Sequence, residues 1–126
     1  MKLMIVDDSN IIRNRIARIA SNTSLNQKLP NIEIVGTAAS GVEAHALFLK
    51  TRPEIVTMDL TMPEMDGVEC TTLLTGIDPQ VKILIISALS DKATAIQALM
   101  NGAEGFLYKP FTDDELINAL LELLEE

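Results

Sequence analysis

Three stretches of this chain are apolar almost without interruption: KLMIVD at 2–7, the core of PEIVTMDL at 54–60, and VKILIISA at 81–88. None shows the three-to-four spacing of an amphipathic helix or the strict alternation of a half-wet strand. Runs of this length are buried on both faces, which is the signature of parallel strands with helices packed above and below. IEIVGTA (32–38) and GFLY (105–108) are less uniformly apolar and read as outer strands.

Helical patterns fill the gaps. Ile12, Ile16 and Ile19 fall at i, i+4 and i+7 behind a candidate N-cap at Ser9. Val42, Ala46 and Leu49 repeat that spacing and mark a second apolar stripe. Ser40 with Glu43, and Thr112 with Glu115, carry the S/T-x-x-E signature of a capping box. Residues 67–76 and 91–101 supply the remaining helices. The order is strand then helix, five times, so right-handed crossovers build one open parallel sheet. The 126 residues and 48% hydrophobic content suit one domain over 1–126, without repeats. The polar stretch 21–31 reads as a surface loop.

Charge and cysteine content exclude several functions. A net charge of -8 disfavours a broad nucleic-acid footprint. No apolar run approaches the roughly 20 residues that span a bilayer, and acids arrive too early for a signal peptide. The single Cys70 forms no internal disulfide and suits a reducing compartment. The expectation is a cytoplasmic protein.

In open α/β sheets, ligands bind beyond the carboxyl ends of the strands. Here the first strand runs into Asp7-Asp8, the third into Asp59, the fourth into Ser87 and the fifth into Lys109-Pro110. Each alone reads as an ordinary turn or cap residue. Together they place three acids, a hydroxyl and a lysine on one rim. Three adjacent carboxylates repel one another. Mg²⁺ relieves this, because it prefers carboxylate oxygens, keeps several waters and shares its shell with phosphate. A carboxylate can also accept phosphate covalently.

These residues resemble the response-regulator receiver domains of two-component signalling. IVDDS, TMDLTMPEMDG, IISA and GAEGFLYKP stand in that family's order and spacing across nearly the whole chain. The resemblance implies a flavodoxin-like sheet of order 2-1-3-4-5 with five helices. It implies Asp59 as phosphoacceptor, Asp7 and Asp8 as Mg²⁺ ligands beside it, and a ligand carbonyl from Thr61. It further implies Ser87 as switch hydroxyl, Lys109 as the phosphoryl-contacting lysine, Phe106 as switch aromatic and a cis Lys109-Pro110 bond. Thr61 and Leu89 match positions that tune the lifetime of the phosphoryl group. The Asp66-Gly67 pair fits a tight turn, with Gly67 supplying backbone freedom.

The partners so implied are a sensor histidine kinase or His-phosphotransfer protein, and a downstream target such as a flagellar motor switch. The expected state is a monomer that dimerises on phosphorylation, with no nucleic-acid or membrane partner. The chain is expected to be a phosphoacceptor that assists its own phosphorylation and slow dephosphorylation, and not an enzyme. With no effector domain expected after ELLEE, output falls to the face of helix 4, strand 5 and helix 5, in chemotaxis-type signalling or in a phosphorelay. A haloacid-dehalogenase-type phosphatase fits less well, because its first strand ends D-x-D. A flavin or nucleotide carrier would need a Gly-rich or hydroxyl-rich phosphate loop.

Four further readings are plainer. His45 has no second metal ligand in pattern and reads as a surface or packing residue. Cys70 packs on the sheet, and the methionines fill gaps. The apolar arc of the last helix, Leu116 to Leu124, spans roughly 160° at about 100° per residue. That exceeds what one sheet needs and suggests an interface flank at Leu121 or Ile117.

Overall fold

The computed structural model describes residues 1–21 and 29–125. Most of the polar stretch read as a loop, 22–28, lies outside the described residues. Five strands, β1 (Lys2–Val6), β2 (Glu33–Ala38), β3 (Ile55–Met58), β4 (Lys82–Ala88) and β5 (Gly105–Lys109), alternate with five helices. The helices are α1 (Asn10–Ser21), α2 (Gly41–Thr51), α3 (Gly67–Ile77), α4 (Lys92–Met100) and α5 (Asp113–Leu124), with a single 3-10 turn at Leu89–Asp91 before α4. The strands form one sheet in the order β2-β1-β3-β4-β5, every pair parallel.

Strand periodicity splits the core in two. Met4, Val6, Val56, Met58, Ile83 and Ile85 face Phe48, Cys70, Leu74 and Ala98 of α2, α3 and α4. Leu3, Ile5, Ile55, Leu84 and Ile86 face Ile16 and Ile19 of α1 and Leu116, Leu120 and Leu123 of α5. Central strands are therefore buried at nearly every position, Thr57 and Ser87 included, and the edge strands β2 and β5 are only partly so. Truncating the fully buried Phe48 to Ala would cost about 3–5 kcal/mol. Among the described residues, no helix is long and apolar enough to cross a membrane.

The caps form where expected. Ser40 accepts from the Glu43 N–H, and Thr112 with Glu115 makes a full capping box. Ser9 Oγ accepts from the Ile12 N–H at 3.3 Å.

Two helix faces differ from the sequence expectation. In α2 the buried face is Ala44 and Phe48, while Val42, Ala46 and Leu49 point outward. The bulky Phe48 takes the sheet-facing position, and the Val42 stripe is turned to the other side. In α5, Ile117 is buried and Leu121 is half-buried. Leu121 lies beside Met1, Pro30 and Glu54, at the amino ends of the strands. The flank of α5 that meets β5 instead carries Ala119 and Glu122, which line a cleft of about 230 Å³ with Phe106.

Candidate phosphoryl-acceptor site

The strands stop one residue before the acids. β1 ends at Val6 and β3 at Met58, and these two are paired in register. The next residue on each strand is therefore Asp7 and Asp59, side by side. Backbone hydrogen bonds continue past the strand ends and hold both: Asp7 N–H to the Ala38 carbonyl at 3.0 Å, and Asp59 N–H to the Val6 carbonyl at 2.9 Å. Asp7 and Asp59 are buried, and Asp8 is exposed. Each of the three offers a carboxylate oxygen within 4.8 Å of the others.

Lys109, the last residue of β5, closes the cluster. Its ammonium lies 2.8 Å from Asp7 Oδ2 and 3.4 Å from Asp59 Oδ1. The Lys109-Pro110 bond is cis, as the resemblance implied. Asp7 is fixed further: Oδ1 accepts from the Ser9 N–H at 2.9 Å, and Arg13 donates to its backbone carbonyl at 2.6 Å.

Electrostatics follow from this crowding. Burial, then the charges of Asp7 and Asp8, push the Asp59 carboxyl up to about 6, with Lys109 pulling the other way. For Lys109, burial alone would lower the pKa, but Asp7 and Asp59 outweigh it and the net shift is upward. Three acids sharing one lysine are short of positive charge. An all-oxygen, mostly buried donor set of this kind fits a hard divalent cation such as Mg²⁺.

The other expected site residues lie on β4, on β5 and in the loops after β3 and β4. Ser87 is buried on β4, in register with Tyr108. Thr61 is exposed, and its hydroxyl donates to Asp91 at 3.4 Å, linking the loop after β3 to the turn before α4. Leu89 stands in that same turn, exposed. Phe106 is 42% exposed and packs edge-on against Tyr108, with centroids 5.1 Å apart.

Gly67 is required for a different reason than expected. Its φ is not positive, and the left-handed backbone of this loop falls on Glu64 at φ 70°. What demands glycine is a close approach to the Asp59 backbone. Cys70 is buried, and burial first, then Asp66, pushes its thiol up to about 12, so it is inert.

Arg13, which donates to the Asp7 carbonyl, and Asp91, which accepts from Thr61, touch expected site residues, and the sequence reading missed both. Arginines on a helix ordinarily read as solvated surface. Only the packing of α1 on the strand ends reveals their contacts.

The response regulator receiver domain model matches residues 3–121. The chemotaxis protein CheY of Listeria monocytogenes is 36% identical over 120 residues, 95% of each chain. The transcriptional regulatory protein LnrK of Bacillus subtilis is also 36% identical, over 96% of this chain and 52% of its own. A solved CheX–CheY–BeF3–Mg complex from Borrelia burgdorferi aligns with a TM-score of 0.87 at 29% identity, covering all of this chain and 90% of the other. Fold, acid cluster and sequence likeness agree, and the chain belongs to the receiver domains of two-component response regulators.

Proposed function

We propose that Asp59 accepts a phosphoryl group from the phosphohistidine of a sensor kinase or His-phosphotransfer protein. The observation that carries this is Lys109, poised 3.4 Å from Asp59 within a three-carboxylate cluster. An oxygen of Asp59 forms the bond to phosphorus as the donor's P–N bond breaks. The electron pair returns to the imidazole nitrogen, and the released ring takes up a proton. Asp7, Asp8 and Asp59, with the Thr61 carbonyl, would hold Mg²⁺, which supplies charge neutralisation for the incoming phosphoryl oxygens.

Lys109 and the Ser87 hydroxyl then bind those oxygens. As Ser87 moves toward the group, Phe106 turns inward and remodels the face of α4, β5 and α5. The phosphoryl group only biases two pre-existing conformations. In this reading the chain is not a turnover enzyme. It is a cytoplasmic phosphoacceptor that assists its own modification and slow hydrolysis, and whose altered face binds a target protein or a second copy. Chemotaxis-type output is favoured by near full-length likeness to a CheY, although receiver domains of longer regulators match equally well.

Incubation with acetyl phosphate and Mg²⁺, then borohydride trapping and mass spectrometry, tests the acceptor. The label is expected on Asp59, and a label elsewhere in intact wild type would overturn the reading. A pull-down comparing unmodified and beryllofluoride-loaded protein tests the output.

A further inference from the structure

The acceptor reading leaves open what keeps Lys109 in place. β5 is an edge strand, paired only with β4, so the chain leaving it has no neighbouring strand on its outer side. Yet the Lys109 ammonium must be kept between Asp7 and Asp59, 2.8 Å and 3.4 Å from their carboxylate oxygens. On the α5 side, the Thr112–Glu115 capping box pins the turn. On the α1 side, Arg15 makes three contacts to the same turn. Its Nη2 donates to the Phe111 carbonyl at 2.6 Å. The same nitrogen lies 3.3 Å from Asp113 Oδ1. The guanidinium carbon lies 4.6 Å from the centre of the Phe111 ring.

Phe111 is two residues beyond Lys109 and only 3% exposed, seated in the core between α1, α5 and the sheet. Its backbone cannot shift without moving Lys109. A planar fork that stacks and donates at once suits this task, and a lysine ammonium could not do both. We propose that Arg15 is a positioning residue for phosphoryl transfer, holding Lys109 over the carboxylates through Phe111 and Asp113. This rests on the acceptor reading above.

The test is a double-mutant cycle on the full chain: wild type, Arg15→Met, Lys109→Met and the double variant. The initial rate of Asp59 labelling is read at saturating acetyl phosphate and Mg²⁺, with Mg²⁺ affinity measured by calorimetry. Arg15→Met is expected to slow labelling about tenfold, within the cost of a misplaced group. In the Lys109→Met background it should add less than twofold, and Mg²⁺ affinity should stay within twofold of wild type. A purely structural Arg15 would give the same loss in both backgrounds. Arg15→Lys goes through the same cycle, so the outcome does not hang on one variant folding. Labelling within twofold of wild type, or full additivity, would overturn the assignment while the acceptor reading stands. A wild type that is never labelled on Asp59 would overturn both.

Discussion

The backbone at Gly67 presses against that of Asp59. A Cβ added at position 67 would lie 2.2 Å from the Asp59 carbonyl oxygen and 2.7 Å from the Leu60 Cα. The Gly67 N–H also donates to the Leu60 carbonyl at 2.9 Å. The first turn of α3 thus braces the segment that carries Asp59. Both obstructing atoms are backbone, so neither can swing aside. Gly67→Ala is expected to cost about 3 kcal/mol and to slow labelling of Asp59. Urea unfolding checks the first part, and a loss below about 0.5 kcal/mol would refute it.

The Asp59 carboxyl is raised in the folded protein from an ordinary 3.8 to about 6. The native state therefore holds this proton over a range where the unfolded chain has lost it. That stability is fully present below about pH 4 and disappears as pH rises through about 6. In metal-free buffer, Asp59→Asn should gain stability relative to wild type between pH 4 and pH 7.5, on the order of 2 kcal/mol. Chemical unfolding at both pH values measures the gap. A gap that does not change with pH would contradict the raised carboxyl.

Removing one acid of the cluster should separate metal affinity from folding. Asp8 is exposed, and its loss relieves repulsion within the cluster. Asp8→Ala should melt no lower than wild type without metal. Wild type should gain about 2.7 kcal/mol at Mg²⁺ a hundredfold above its Kd, and the variant should gain far less at the same concentration. Equal stabilisation of the two proteins would exclude Asp8 from the metal site.

Leu89 lies in the turn before α4 and is 63% exposed. An apolar side chain there cannot orient an attacking water. Leu89→Glu should therefore hasten hydrolysis of the untrapped Asp59 acyl phosphate by up to about tenfold, short of the hundredfold of a well-placed general base. Unchanged or slower decay would count against lifetime tuning at this position.

Ile96 and Met100 are exposed one turn apart on α4, and Phe106 is exposed on β5. Ile96→Lys should change stability by no more than about 0.5 kcal/mol and leave labelling intact, while abolishing capture of the target by the beryllofluoride-loaded protein. Retained capture would move the output surface elsewhere.

The strand runs, the capping signatures at Ser40 and Thr112 and the acids past two strands were legible because each depends on neighbours within a few residues. Burial on both faces makes KLMIV, IVTM and KILIISA apolar nearly throughout, with Thr57 and Ser87 as buried exceptions, and a side-chain oxygen three residues before its N–H partner writes a cap directly into the chain. Tertiary structure decided the rest. Which stripe of α2 turns inward depends on where the bulk of Phe48 fits, and the flank that Leu121 occupies depends on the angle at which α5 crosses the sheet. Gly67 shows its need for space only when α3 meets the Asp59 backbone. Arg15 meets Phe111 across 96 residues of sequence, a contact that no local pattern encodes and that only the packing of α1 beside α5 creates.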